Sequence, residues 1–179
     1  MLAYVFWHWP RPDIARGSYV EHLVDFYQTL AENKPRGFRE SVVFRIRGAR
    51  WLKTDGEAYE EWYLLDDSAA LDVLNDAAVS GACEEPHNRA AREAADGVGG
   101  LYRLRAGRGD LAQAGFATWL SKPSGLSYKD FYAGLESLTS QPGVALWGRQ
   151  MTLGPTTEFC LHTPTVFENS LALELIYPR

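Results

Sequence analysis

The sequence predicts an α+β fold made of two βαββαβ halves in tandem, and three observations predict it. Short apolar runs rich in aromatic and β-branched residues alternate with amphipathic helical stretches, in that order, over the first hundred residues. The same order begins again near residue 116. Matching residue types then fall at corresponding places in the two halves.

The elements follow in order. Leu2 to Trp9 is an apolar and aromatic run stopped by Pro10 and Pro12, which reads as a strand. Ser18 with Glu21 three residues on forms a capping box, and Tyr19, Leu23, Phe26, Tyr27 and Leu30 recur at helical spacing, so 18–32 is an amphipathic helix. Residues 40–47 and 59–65 read as a strand pair around a polar tip at Lys53-Thr54-Asp55-Gly56. Asp66-Asp67-Ser68 caps a second helix that Gly81 breaks, and Pro86 restarts a helical turn through Ala95. Gly97 to Gly100 end it, and Leu101 to Leu104 is the fourth strand. This βαββαβ order is the ferredoxin-like unit.

After a Gly/Arg-rich joint at 105–110, Phe116–Ser121 is a strand, Ser127 with Asp130 caps a helix, and strands follow at 144–153, 157–163 and 171–177. Only Pro164 to Ser170 stands where the second helix of this half belongs, so the second half is shortened. The division expected is 1–107 for the first half and 108–179 for the second. Set side by side, Trp7 falls on Trp119, Ser18-Tyr19 on Ser127-Tyr128, Gly37 on Gly143, and Glu61-Trp62-Tyr63-Leu64 on Glu158-Phe159-Cys160-Leu161.

Composition narrows the function classes. The chain of 179 residues carries 18 basic and 23 acidic side chains, a net charge of −5, and neither half is basic. Nucleic-acid binding leaves a clustered Lys/Arg footprint, and none is present, so no nucleic-acid partner is expected. No apolar run approaches the roughly 20 residues that cross a bilayer, so no membrane partner is expected either. The apolar start MLAYVFWHWP lacks a basic leader and a small-residue cleavage site, so a cytoplasmic location is expected. Cys83 and Cys160 form no CxxC pair and read as buried thiols. No metal site, glycine-rich phosphate loop or nucleophile elbow stands out.

The stretch Glu61-Trp62-Tyr63-Leu64-Leu65-Asp66-Asp67-Ser68, followed by Leu71, Leu74 and Asn75 and later by Pro86-His87, resembles the dimeric α+β-barrel superfamily. That group includes antibiotic-biosynthesis-type and heme-degrading monooxygenases, ether-degradation accessory proteins and chlorite-dismutase-like heme proteins. The resemblance implies two sheets closing on each other over a small-molecule pocket, a homodimer, and a small-molecule ligand. It favours no cofactor; the alternative it carries is heme, with His87 or His8 as axial ligand.

The candidate catalytic residues are His8, Glu61 and Glu158. His8 ends an aromatic strand and is the side-chain type most used to donate or accept a proton; Glu61 and Glu158, at corresponding places, form a carboxylate pair if both face one cavity. The candidate ligand-binding residues are Trp7, Tyr63, Arg149 and His87: rings for an aromatic guest, a guanidinium for a carboxylate or phosphate, and a His on the second helix. Arg45 is read as the counterpart of Arg149, and Cys160 with His162 shares a strand face without a third group to activate the thiol. Strand alternation puts Tyr4, Phe6 and His8 on one face and Val5, Trp7 and Trp9 on the other; both faces are aromatic, and core packing competes with ligand binding for each. Three functions remain open: a metal-free monooxygenase- or isomerase-like enzyme acting on an aromatic compound, a heme protein, or a non-catalytic ligand-binding module.

Overall fold

The computed structural model describes residues 1–54 and 56–178, so Asp55 of the expected hairpin tip lies outside the described residues. The first half contains β1 (Leu2–Pro10), α1 (Arg16–Asn33), β2 (Phe38–Arg47), β3 (Glu57–Leu65), α2 (Ala69–Ala78), a 3₁₀ turn, α3 (Glu84–Glu93) and β4 (Ala94–Gly107). The second contains β5 (Phe116–Leu120), α4 (Tyr128–Thr139), β6 (Ala145–Arg149), β7 (Phe159–Thr163), β8 (Leu171–Ala172) and β9 (Glu174–Tyr177). The fold is α+β, and all of its strand pairs are antiparallel.

The strands form one sheet in the order β8-β5-β7-β6-β4-β1-β3-β2-β9. Within it β4-β1-β3-β2 and β8-β5-β7-β6 repeat the same 4-1-3-2 arrangement, so the ferredoxin-like order occurs twice. The two ends of the row are joined: β8 pairs with β5 and β9 pairs with β2, and only Leu173 lies between them. Consecutive Cα atoms are about 3.8 Å apart, so the outer edges of β5 and β2 come close there and the sheet is nearly closed into a barrel within one chain. β4 behaves alike, pairing with β1 through its first part and with β6 through its last. Each half's fourth strand thus starts on its own half and finishes on the other.

Two expectations change as a result. The sequence implied two separate sheets around a sheltered space; one continuous sheet closes instead, and its interior is filled. Ala3, Val5, Trp7, Phe44, Trp62, Tyr102, Trp147 and Cys160 interlock there, and Trp9, Trp51 and Trp119 pack against them. The corresponding tryptophans Trp7 and Trp119 meet edge to face, ring centres 5.4 Å apart. Inside this core, the fully buried Glu60 carboxylate accepts bonds from the Trp7 and Trp62 indole N–H groups at 2.7 and 2.8 Å. A buried carboxylate without such donors costs several kcal/mol. The last strand, read as one run over 171–177, is two because it changes partner.

The other sheet face carries Leu2, Tyr59, Tyr63 and Leu65 against α1, α2 and α3. This double covering explains why β3 is buried from Ala58 to Leu65 without the alternation of a half-exposed strand. In the second half, α4 alone covers the sheet, over Leu146, Phe159 and Leu161.

Local signals were partly misread. α1 begins at Arg16 behind Ala15 and has no side-chain cap, so Ser18 lies inside it. Asp67 rather than Ser68 caps α2, accepting from the Ala69 and Ala70 N–H groups. Ser127 caps α4 as expected. The glycines at 97–100 do not end a helix; they lie inside β4, opposite His8, Phe6 and Val5. A Cβ at Gly97 would overlap the Phe6 ring, and one at Gly99 would sit 2.8 Å from the Tyr4 hydroxyl. These glycines are what let two rings of β1 lie flat across the neighbouring strand.

Gly97→Ala is therefore expected to cost about 1–3 kcal/mol in urea unfolding through overpacking, and Phe6→Leu in the same chain to return part of it. Gly134→Ala, in α4 with nothing within 4 Å, is expected to gain up to about 1 kcal/mol from helix propensity. Equal effects at the two positions would contradict the close approach of Phe6 to β4.

Candidate functional site

The barrel interior is packed with side chains, and the cavity that gathers the candidate polar residues lies on the other side of the sheet. It encloses about 480 Å³ between β1, β3 and the helices α1, α2 and α3. Its floor is Tyr4, Phe6 and His8 from β1 with Glu61 and Tyr63 from β3; α1 contributes Tyr19, Leu23 and Phe26. α2 contributes Leu71, Asp72 and Asn75, and α3 contributes His87, Ala90 and Ala91.

The polar groups of the floor form one chain of hydrogen bonds. Phe6 opposes Glu61 and His8 opposes Tyr59 across the β1–β3 pair, so His8 and Glu61 are diagonal neighbours on one face. His8 Nε2 lies 2.6 Å from Glu61 Oε1 and His8 Nδ1 lies 2.5 Å from the Tyr19 hydroxyl. The Tyr63 hydroxyl donates to Glu61 Oε2 at 3.0 Å, and Tyr27 meets Tyr63 at 2.7 Å. His8, Tyr19, Tyr27, Glu61 and Tyr63 are all buried.

The protonation pattern follows from the charges. Burial pushes the Glu61 carboxyl up, but the His8 ring beside it and hydrogen bonds from His8, Tyr27 and Tyr63 outweigh burial and hold it below its ordinary value. Burial, then the charge of Glu61, pushes the Tyr19 hydroxyl well above its ordinary value, and the same two causes raise Tyr27 and Tyr63. An ionised Glu61 can only accept, so His8 donates its Nε2–H to it, and while the imidazole is neutral its Nδ1 accepts from the Tyr19 O–H. The floor is thus a relay, Tyr19 to His8 to Glu61, able to take a proton from a guest at the Tyr19 oxygen and store it as an imidazolium against the carboxylate.

Of the residues expected from sequence, His8, Glu61, Tyr63 and His87 come together around this cavity. Trp7 does not: it points into the barrel, with no exposed surface, and holds Glu60. Glu158 and Arg149 line a separate cleft of about 320 Å³ beside α4, where Glu158 accepts from Tyr128. The pairing of Glu158 with Glu61 fails on register. Trp7 opposes Glu60 while Trp119 opposes Cys160, so with the two tryptophans matched, Glu61 corresponds to Leu161 and Glu158 to Ala58. Likewise Phe44 opposes Glu60 and Trp147 opposes Cys160, so Arg45 corresponds to Gly148 and Arg149 to Ile46. A slip of one residue changes the face. Arg45 instead pairs with Glu174 at the barrel surface, and Cys160 with His162 is sealed inside, the thiol pushed up by burial and by the charge of Glu60.

Sequence reasoning missed Tyr19 and Tyr27, read only as helix-face apolar residues, and Glu60. The adjacent pair Glu60-Glu61 was the available signal: two acids in succession on a strand must face opposite ways, and on a strand covered on both sides both must be partnered. Among the described residues, no three His, Cys, Asp or Glu side chains stand together to hold a metal ion, and no helix is long and apolar enough to cross a membrane.

No protein-family model matches the sequence, and no curated protein matches it. Among solved structures, the chain is similar to a protein from Lactobacillus acidophilus NCFM named as a putative monooxygenase, with a TM-score of 0.54 and 10% identity over 90% of this chain and 75% of that one. It is also similar to one named as a putative chlorite dismutase, with a TM-score of 0.49 and 10% identity over 98% of this chain and 95% of that one. The closed antiparallel sheet and the repeated strand order are those of the dimeric α+β-barrel fold, as the resemblance implied.

The depressed Glu61 carboxyl sets a pH dependence. Its ordinary value is 4.5 and its folded value is lower, so its stabilising contribution is complete above 4.5 and is lost as pH falls through the folded value. Urea midpoints measured from pH 7 to pH 2 are expected to fall in the acid limb, and Glu61→Gln to flatten that limb. An unchanged acid limb in the variant would show that Glu61 gains nothing from its partners.

Proposed function

We propose that the protein is a small-molecule enzyme that works without a metal on a phenolic or otherwise enolisable aromatic compound held in the helix-side cavity. The observation that carries this reading is the buried Tyr19–His8–Glu61 relay opening onto an apolar, ring-lined space. The relay itself is buried, so it offers a guest resting on the ring floor a proton acceptor shielded from water. Tyr19 accepts the guest's proton while passing its own proton to His8 Nδ1, and Glu61 stabilises the resulting imidazolium across 2.6 Å. Tyr63 and Tyr27 keep Glu61 oriented and ionised. The product of this step is a phenolate or enolate in a ring-lined pocket.

Two outcomes suit that anion. With dioxygen as second substrate, a phenol becomes a quinone: one oxygen atom enters the ring and the other leaves as water. Without dioxygen, return of the proton to another carbon is an isomerisation. Every lining residue lies between Tyr4 and Ala94, so the reading places the site in the first half, residues 1–107, with 108–179 supplying the rest of the barrel. The homodimer and the cytoplasmic location stand as proposals beside it. β8 covers Phe116 and Ala117 of β5 and β9 covers Val43 to Arg45 of β2, so the rest of each edge strand is open to a second copy.

His87 on the cavity wall supports the second reading, a heme protein. The residues fit that group poorly. Heme brings two carboxylates, while none of the lining residues is Lys or Arg and two, Glu61 and Asp72, are acids. Both nitrogens of His8 are already engaged.

The enzyme reading is tested by oxygen uptake and product analysis over a panel of phenols. Tyr19→Phe and His8→Gln are each expected to lower kcat about 10²–10⁴-fold with KM little changed; full activity in both variants would overturn the relay. Reconstitution with hemin is expected to give no stable Soret band, and a stoichiometric band lost in His87→Ala would establish heme instead.

A further inference from the structure

The charge around the cavity has a direction that the relay does not require. From Thr54 to Asn88 the sequence carries ten acidic residues and no Lys or Arg. This stretch supplies β3, α2 and the start of α3, which form much of the floor and wall of the cavity. Several of these acids are already answered. Glu57 lies among Arg16, Arg45 and Arg47, Asp66 pairs with Arg39, and Glu85 with Arg89 and Arg92. Asp67 is spent on capping α2. Among the described residues no ion pair reaches Asp72, Asp76 or Glu84. Asp72 is the one of these three that lines the cavity, one helical turn before Asn75.

The floor below Asp72 is aromatic. Tyr4 and Tyr63 are 5.8 Å apart between ring centres, Tyr4 and Phe6 6.3 Å, and Phe26 stands across from them on α1. Aromatic faces attract a desolvated cation, and a one-signed wall around a cleft of low dielectric focuses that attraction and repels anions.

We infer, resting on the reading of this cavity as the substrate site, that its ligand is an aromatic molecule bearing a protonated amine, and that Asp72 selects for it. The ring would lie against Tyr4, Phe6 and Phe26 with its hydroxyl at the Tyr19 oxygen, and the ammonium group would reach Asp72 at the α2 side. A carboxylate in the place of the amine meets Asp72 with no cation to answer it.

Three probes with one skeleton test this by calorimetry: tyramine, 4-ethylphenol and 3-(4-hydroxyphenyl)propanoate. Tyramine is expected to bind about tenfold more tightly than 4-ethylphenol, and the propanoate about tenfold more weakly. Asp72→Asn is expected to bring tyramine to within about threefold of 4-ethylphenol, and Asp72→Lys to reverse the order of tyramine and the propanoate. Asp72 is exposed, so both variants should fold, and an unchanged Tm confirms it. If 4-ethylphenol binds as well as tyramine, or if the preference survives Asp72→Asn, the inference fails and the cavity reading stands. If none of the three binds at about 10 mM, the limit of a useful weak affinity, the cavity reading fails and takes this inference with it.

Discussion

The structure depends on one constraint: the barrel must close with a strand that belongs to both of its edges. β8 completes the second half, β9 completes the first, and Leu173 is the whole of the link. Near-closure shortens the exposed strand edges that would otherwise invite pairing with other chains. It also fixes the size of the interior, which eight or so strands leave just wide enough for side chains. Six tryptophans contribute to filling that interior, and nothing of ligand size remains there. The guest space therefore has to arise on the outer face, where three helices bridge the sheet of the first half and do not fill the gap beneath them.

Strand alternation then distributes the chemistry. Glu60 and Glu61 are covalent neighbours, yet one is clamped by two indole N–H groups inside the barrel and the other is held by a histidine and a tyrosine under the helices. The first carboxylate is structural. The second is the one the proposed relay uses, since the imidazole beside it leads through Tyr19 to the cavity. A single-residue shift of β3 would exchange these environments and leave both acids with the wrong partners.

How far the sequence reached can be judged at particular residues. The element order, the helix of the second half with its Ser127 cap, and the missing second helix were readable, because each rests on local periodicity or local hydrogen bonding. His8, Glu61, Tyr63 and His87, singled out by residue type, meet at one cavity. The facing of β1 was not readable, since Phe6 and Trp7 are equally suited to a core, and only long-range pairing decides between them. Gly97 and Gly99 looked like helix terminators because glycine marks turns more often than it makes room for a ring. The register between halves could not be set from a four-residue block matched at only two letters; it took the strand partners of Trp7 and Trp119 to move Glu61's counterpart from Glu158 to Leu161. The change of partner inside 171–177 has no local signal at all.

The segregation of aromatic residue types has a practical corollary. All six indoles belong to the barrel core, while the guest cavity is walled by phenol and phenyl rings and touches no indole. Red-edge excitation of the chain should follow unfolding of the sheet and stay silent to occupancy, whereas tyrosine absorption bands should register a bound molecule in a still-folded protein. The same sample can then be read twice, once for integrity and once for loading, without any added label.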